Sequence, residues 1–375
     1  MSWRYIAQRL DGLGGGEFLD YDVPLTGATI TSVLSGPNRL AGSISPEVAR
    51  LQDSSGRLIF EEWGTALYAE ESGQIRGAGI LTHATPSGPS VALDCVGWTG
   101  YAAGMPYTGA WFGVEVDPLD VVREAWRHLQ TQARGNIGLQ VSAAKTGIKI
   151  GVTLAQVQFD TQAGPMKFES GPVKLAWYLT TDLGGEIDTL AKATPFDYAE
   201  RHAWRDDDTI EHHLEFGYPS IGRRRDDLRF QLGENISVIP SQTSTGESFA
   251  NEVLALGAGE GRDMIRGGAI RMADVRLRRV AVVTDKQRRS IVSANAYASE
   301  QLGLRLGLGS IESITVREHP NAALGSWREG DQILIAGDAG WGGFQMWVRI
   351  LSTTITPESG DVAVITVIRT DMVTK

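Results

Sequence analysis

Short segments in which apolar and polar residues alternate recur along the whole chain. Such period-two patterns predict half-buried β-strands, and four of them are Val91-Leu93-Cys95, Ile148-Ile150-Val152, Ile210-His212-Leu214-Phe216 and Val362-Val364-Thr366-Ile368. The chain has 45 glycines, and those at 12–16, 337–340 and 342–343 predict chain reversals, because glycine enters positive φ freely. Short strands with frequent turns are typical of barrels and sandwiches.

One helix is predicted clearly by its start signal and by its period. Asp117 can accept hydrogen bonds from free backbone N–H groups, and Pro118 stands at the first helical position, where its missing N–H costs nothing. The helix is expected to end at Gly135-Asn136. Its apolar face consists of Leu119, Val122, Trp126 and Leu129.

Three further helices are predicted. The first covers 182–193 and buries Ile187, Leu190 and Ala191. The next begins with the capping-box spacing of Ser244 and Glu247, turns Phe249, Val253 and Leu256 inward, and stops at Gly257. The last covers 286–302, begins at Asp285, ends at Gly303, and has Ile291, Ala294 and Ala298 on its apolar side.

Length and composition predict a multidomain globular protein. The 375 residues exceed the roughly 250 to 300 at which one hydrophobic core usually stops growing, so two or three domains are expected. The lone Cys95 has no disulfide partner and is predicted to be a buried thiol. The start lacks a signal-peptide pattern and no run of about 18 apolar residues occurs. We therefore expect a protein without a membrane span, made in the cytoplasm and kept there or released by lysis.

The charge is unevenly distributed. Residues 1–120 hold 6 Lys and Arg against 14 Asp and Glu, whereas residues 121–375 hold 29 against 31, for a total of −10. An acidic surface disfavours tight binding of nucleic-acid phosphates. If it lined a tube it would repel DNA and let a genome slide through, although a solvated acidic face explains it equally well. The basic stretch 271–289 suits an acidic neighbour or plain solvent.

Three places resemble chemical sites, and a structural explanation is stronger for each. Gly257-Ala258-Gly259-Glu260-Gly261 has Arg262 where a dinucleotide fingerprint needs glycine, so a helix stop and turn are expected. His212 and His213 lie beside Glu211 and Glu215, but neighbouring strand residues point to opposite faces, so a paired strand with exposed histidines is expected rather than a metal site.

Acidic runs and tryptophans could together form a glycosidase cleft. The acids are Glu61-Glu62, Glu70-Glu71 and Asp206-Asp207-Asp208, and runs of this kind are normally solvated loops. Trp63, Trp98, Trp126 and Trp347 stand in apolar contexts and are expected to be core residues or subunit-interface anchors. No catalytic, cofactor-binding or metal-binding residue is assigned, no cofactor is expected, and the protein is predicted not to be an enzyme.

Eight segments, in this order and spacing, resemble the minor tail proteins of actinobacterial siphophages. They are LTGATIT at 25–31, LSGPNRL at 34–40, SISPE at 43–47, WGTALYAE at 63–70, IRGAGIL at 75–81, DCVGWTGY at 94–101, DPLDVVR at 117–123 and RDDLRF at 225–230. The stretches 330–335 and 347–350 also look like the closing barrel of tail-tip hubs. The resemblance places the chain in the tail-tip, or baseplate, hub family of tailed phages.

The resemblance implies an α+β, β-dominated fold of the baseplate-hub type. Two barrel-like tube domains, 1–117 and 236–375, would flank a mixed α/β middle domain, 118–235, with helix 286–302 inserted in the second barrel. Three copies would form a homotrimeric, pseudo-sixfold ring that closes the tail tube for host attachment and genome ejection. The implied partners are the distal tail ring protein, the tape-measure protein and tail-fibre or tip proteins, with DNA passing through unbound. The implied location is the virion tail tip, after synthesis in the bacterial host cytoplasm.

Two other functions stay open. A carbohydrate-binding or glycosidase module of a β-rich phage lysin predicts a monomer with a cleft of paired acids and exposed tryptophans. A plain tube or distal ring subunit predicts a hexamer, although the chain is longer than a minimal tube subunit requires.

Overall fold

Strands dominate the part of the chain that a computed structural model describes. The described residues are 3–152, 155–161, 164–194, 196–243, 249–271, 275–286, 288, 290–305, 310–340, 342–359 and 362–370. The strands of the first half are β1 Trp3–Arg9, β2 Phe18–Asp20, β3 Thr26–Val33, β4 Arg39–Ile44, β5 Thr65–Glu71, β6 Gln74–Ser87, β7 Ser90–Val96, β8 Ala110–Gly113, β9 Leu139–Val141, β10 Ala155–Thr161, β11 Gly164–Ser170 and β12 Val173–Ala176.

The second half adds strands and contains the longest helix. Its strands are β13 Asp197–Trp204, β14 Ile210–Gly217, β15 Phe230–Gln231, β16 Gln242–Thr243, β17 Glu252–Leu256, β18 Arg266–Ile270, β19 Val280–Thr284, β20 Ser310–Ile311, β21 Ser313–Arg317, β22 Gln332–Asp338, β23 Gly343–Thr356 and β24 Val362–Arg369. The helices are α1 Pro46–Ala49, α2 Pro118–Thr131, α3 Leu183–Ala193 and α4 Ile291–Arg305.

The two ends of the chain share one open sheet of 12 strands. Its main order is β15-β22-β23-β3-β4-β7-β6-β5-β1-β2, with β24 pairing β23 and β21. The joint is the antiparallel pair β3–β23, where the hydroxyl oxygens of Thr31 and Thr354 lie 3.0 Å apart. The β-dominated α+β class is thus confirmed, while the two separate barrels and the boundaries 1–117, 118–235 and 236–375 stay predictions.

Strand β5 shows how the sheet separates two hydrophobic cores. Every one of its residues is buried, because alternate side chains point to opposite faces. Ala66 and Tyr68 join the core that contains α2, α3 and strands β13 and β14. Leu67 and Ala69 join a second core built from residues 5–95. A third core lies among residues 230–367, and a small fourth one among residues 253–302.

Helix α2 confirms the first predicted helix. The carboxylate of the buried Asp117 accepts from the N–H of Leu119 at 3.0 Å and from those of Thr146 and Gly147, each at 2.9 Å. The predicted apolar face is buried because it meets the strands of the first core. The helix ends at Thr131, four residues before Gly135.

The other three helix predictions have different outcomes. Helix α3 is confirmed and Ile187 is buried as predicted, whereas Leu190 and Ala191 are only half-buried; Asp182 caps the helix. The prediction that placed Val253 and Leu256 in a helix is wrong, because both lie in strand β17, and its capping box at 244–247 falls outside the described residues. Helix α4 exists, but it begins at Ile291 rather than 286, and Ile291 is exposed.

The predicted alternation of buried and exposed residues is correct more often than the prediction of which residues are buried. Strands β7 and β14 bury the predicted residues. The segment 148–152 is wrong as a strand, since it makes only an isolated bridge between Ile150 and Val116. In β24 the alternation is correct, but Ala363, Ile365 and Val367 are the buried set. Because nearly every residue of this strand is apolar, its pattern does not select the inner face.

A buried ion pair joins strand β23 to the start of β13. The guanidinium of Arg349 donates to the carboxylate of Asp197, to the carbonyl of Ile221 at 3.1 Å and to that of Gly330 at 3.2 Å. Asp197 also accepts from the N–H of Ile221 at 2.8 Å. Both charged side chains are buried, so each depends on the other for compensation.

Candidate functional site

The two neighbouring histidines lie on opposite faces of β14, as predicted. His213 is half-exposed and lies 3.1 Å from the carboxylate of Glu211. His212 is buried, which corrects the expectation that both are exposed, and its ring stacks on Trp98 with centroids 4.2 Å apart. Burial lowers the pKa of His212 to about 2, with smaller contributions from the neighbouring His202 and His213. The ring is therefore uncharged at neutral pH.

His212 belongs to a buried polar cluster that the sequence did not predict. Its Nδ1 lies 2.9 Å from Nδ1 of His202, so one ring donates and the other accepts. Nε2 of His202 is buried without a hydrogen-bond partner, 3.6 Å from the carboxylate of Glu200. That carboxylate accepts from the N–H groups of Trp98 at 3.1 Å and Thr99 at 2.7 Å, and from the Thr99 hydroxyl. The cluster ties the segment after β7 to β13 and β14.

Within the described residues, no three histidine, cysteine, aspartate or glutamate side chains are grouped as a metal site requires. Glu200 and His202 share one face of β13, but the N–H groups that donate to Glu200 lie about 100 residues away in the chain. Sequence spacing alone does not bring them together.

The glycine-rich loop is a turn between strands. It follows β17, so the helix expected before it is wrong, and it leads into a short 3₁₀ turn, Gly261–Asp263, and then β18. Gly259 and Gly261 have φ of +100° and +55°, which glycine tolerates without strain. The order strand, loop, strand is not that of a dinucleotide-binding loop, which opens a helix.

The acidic runs differ in environment. Asp206-Asp207-Asp208 is an exposed turn, as predicted. The prediction of a solvated loop is wrong for Glu70 and Glu71, which are buried in β5. Glu70 accepts from Arg4 at 2.6 Å and from Trp204 Nε1 at 3.0 Å, and Glu71 accepts from Arg76 at 3.0 Å. Since each carboxylate is already paired with a donor, the pair does not form an acid and base facing an open cleft.

The tryptophans and the cysteine largely follow the prediction. Trp98 and Trp126 are fully buried core residues, Trp347 is half-buried beneath the guanidinium of Arg224, and Trp63 is 56% exposed. Cys95 is buried, as predicted, and burial together with Asp94 raises the pKa of its thiol. A buried thiol with a raised pKa is a poor nucleophile.

A shallow groove of about 500 Å³ lies beside α2. Trp111, Leu139 and Val141 supply its apolar lining. Its charged side chains form ion pairs along the helix, Asp120 with Arg123 at 2.5 Å and Glu124 with Arg127 at 2.6 Å. Because these charges already compensate one another, the groove offers no excess charge for an ionic ligand.

Aromatic and aliphatic side chains are exposed around the antiparallel pair β8–β12. Trp177, Tyr178 and Leu179, which follow β12, are 67%, 55% and 56% exposed, and Phe112 on β8 is 53% exposed. This surface was not predicted from the sequence, although three consecutive large apolar residues, 177–179, are its signal. Exposed apolar surface of this kind is typical of protein–protein contact sites.

The comparisons with known proteins identify the fold. No protein-family model matches the chain, and no match is found among the curated proteins. The 43 kDa tail protein of prophage MuSo2 from Shewanella oneidensis superposes with a TM-score of 0.61 at 12% identity, over 98% of each chain. The prophage tail protein gp18 from Listeria monocytogenes EGD-e gives a TM-score of 0.53 at 14% identity, over 97% of this chain and 94% of that one.

A third solved structure shows the same likeness. A chain of the Francisella PdpA-VgrG complex gives a TM-score of 0.54 at 7% identity, over 100% of this chain and 59% of that one. At such identities the likeness establishes the fold alone, which this chain shares with these two prophage tail proteins and with that chain of the PdpA-VgrG complex. Separately, none of the described helices combines the length and apolarity needed to cross a bilayer.

Proposed function

We propose that this protein is a structural component of a phage tail tip, a hub rather than an enzyme. The observation that carries the proposal is a fold shared with a prophage tail protein over 98% of both chains. A likeness that includes every region of both chains supports a shared architectural role more strongly than a common domain would. The exposed aromatic surface around β8 and β12 supports assembly with other chains.

In the proposed assembly three copies form a ring that closes the tail tube of a siphophage. The barrel-like domains 1–117 and 236–375 of each copy would alternate around the ring. The distal tail ring protein, the tape-measure protein and the fibre or tip proteins would bind to it, and DNA would pass through on ejection. An acidic lumen formed by residues 1–120, which carry a net charge of −8, would let that DNA slide without sticking.

The proposal is tested by the mass and shape of the purified protein. A closed trimer of a 40.5 kDa chain has a mass of about 120 kDa by light scattering, and negative-stain images would show a threefold ring with a central opening. A hexamer would instead indicate a subunit of the tail tube or of the distal ring. A monomer at every concentration would contradict the hub and make binding to cell-wall glycans the next function to test.

A further inference from the structure

Residues 249–305 form a small layered unit whose sheet is covered on one face. Strands β18, β17 and β19 lie side by side in that order, and helix α4 packs against β17 and β18. Val253 and Ala255 are buried on the covered face. The contact is tight, because a Cβ at Gly267 would lie 2.4 Å from the backbone of Ala294 in the helix.

The opposite face of this sheet, here called the outer face, is exposed and mostly apolar, and it also carries Glu252, which lies between Ile270 and Val280 and pairs with Arg278 at 2.6 Å. Leu254 lies at its centre, between Gly268 of β18 and Val282 of β19. Ile270, Val280 and Val282 on this face are 57%, 42% and 59% exposed. A sheet normally buries its apolar face against another layer. The outer face therefore has the character of a surface that a second molecule covers.

Arginines lie at the ends of the strands of this sheet. Arg266 lies on the outer face at the start of β18, while Arg271 and Arg279 lie just beyond the ends of β18 and β19 and are bonded through their backbone to Asn251. All three are exposed, and none forms an ion pair with a described residue. Residues 249–305 hold 10 Lys and Arg against 6 Asp and Glu, a net charge of +4 in a chain of −10. The surface calls for a partner that is apolar and acidic.

The chain itself contains a segment with these properties. Residues 11–22 carry four carboxylates and no Lys or Arg. None of the four forms an ion pair in the described structure, and the segment also exposes Leu13 at 75% and Tyr21 at 49%. It includes β2, the last strand of the large sheet. Among the described strands, none pairs with the outer edge of β2.

We infer that the outer face of residues 249–305 binds the acidic segment 11–22 of a second copy of this chain. Each copy then contributes two different surfaces, so the contact is head-to-tail and closes only as a ring. The inference rests on the proposed homotrimer and names the surfaces that hold it together. Arginine–carboxylate pairs around an apolar centre give both affinity and register.

The first experiment disrupts the centre of the outer face. Val282→Asp places a carboxylate among apolar residues at a position that is already exposed, so the fold should be retained. We expect self-association at least about 30-fold weaker than in the natural protein, as for a hot-spot residue, measured by light scattering across a concentration series. Val292→Asp is the matched control, because Val292 is 79% exposed on α4, on the covered side of the same sheet. It should assemble normally.

The second experiment tests the partner segment by complementation. A variant with Asp11→Lys and Glu17→Lys should also fail to assemble. Mixing it with Val282→Asp leaves one intact contact between an unaltered outer face and an unaltered acidic segment. The mixture should form a heterodimer of about 81 kDa, twice the 40.5 kDa chain, while each variant alone stays monomeric.

The outcomes separate this inference from the proposed function. A natural trimer that Val282→Asp leaves intact would overturn the inference, keep the trimer, and assign the outer face to another tail protein. Loss of assembly in Val282→Asp without a heterodimer in the mixture would overturn segment 11–22 as the occupant. A natural protein that stays monomeric at every concentration would overturn both the trimer and this contact. Circular dichroism of each variant establishes that loss of assembly is not loss of folding.

Discussion

Replacing Asp197 by alanine tests whether the buried ion pair with Arg349 holds strands β13 and β23 together. Arg349 is 4% exposed, and the substitution leaves its guanidinium buried with only the carbonyls of Ile221 and Gly330 as acceptors. The N–H of Ile221 also loses the acceptor that it has at 2.8 Å. Two separate penalties therefore arise from one substitution.

The expected loss follows from the burial of both partners. Removing one member of a buried pair costs about 3–5 kcal/mol, because the other charge remains uncompensated in a low-dielectric site. The unsatisfied N–H of Ile221 adds to this, but partial relaxation offsets it. We therefore expect Asp197→Ala to lower the free energy of unfolding by about 4 kcal/mol, a change of about a thousandfold in the unfolding equilibrium constant.

The assay is urea denaturation followed by tryptophan fluorescence and by circular dichroism. Asp206→Ala is the control, because Asp206 lies in an exposed turn, where substitutions usually change stability by less than about 0.5 kcal/mol. The double variant Asp197→Leu with Arg349→Met removes both charges and should recover most of the loss. A loss below about 1 kcal/mol for Asp197→Ala would refute the reasoning, since it would mean that water compensates Arg349.

Three other predictions follow from burial. The pKa of His212 is lowered to about 2 in the folded chain. The unfolded chain therefore takes up a proton below about pH 6.5 that the folded chain does not. The free energy of unfolding should consequently fall by about 2 kcal/mol between pH 7 and pH 5. In denaturation at both pH values, His212→Asn should reduce this loss and the half-exposed His213→Asn should not. Trp126→Ala should lower the free energy of unfolding by about 3–5 kcal/mol and Trp63→Ala by less than about 0.5 kcal/mol, because Trp126 is buried and Trp63 is exposed. Equal losses would contradict this difference in burial. The thiol of Cys95, buried with a raised pKa, should react with a thiol reagent only in denaturant, and fast labelling of the native protein would refute this.

Local signals in the sequence were sufficient for the elements that depend on nearby residues. Asp117 and Pro118 located the start of α2 because a helix cap is made by residues within one turn. The spacing of Val253 and Leu256 matched a helix, yet these residues form β17. The same residues also satisfy a strand when β18 and β19 supply hydrogen-bonding partners, so tertiary context overrode the local period.

The candidate surfaces were predictable only in part. The basic stretch that contains Arg271 and Arg279 was visible, as was its fit to an acidic neighbour. That Ile270 and Val282 lie on one exposed face was not visible, because this depends on strand register. The cluster of Glu200, His202 and His212 was not predicted, because it depends on the register that places His202 opposite His212 and on the approach of Trp98, 102 positions from Glu200.

The sequence by itself determined the β-rich class, the cap of α2, the extent of α3, the buried thiol and the excess of acidic residues in the first third. These properties follow from composition and from contacts within a few residues. Only the tertiary structure decided which face of β24 is buried, that Thr31 lies beside Thr354, and that Asp197 compensates Arg349. The two contacts join residues more than 150 positions apart, and the buried face of β24 depends on which strands lie beside it. A period-two pattern carries no information about which strand is the neighbour.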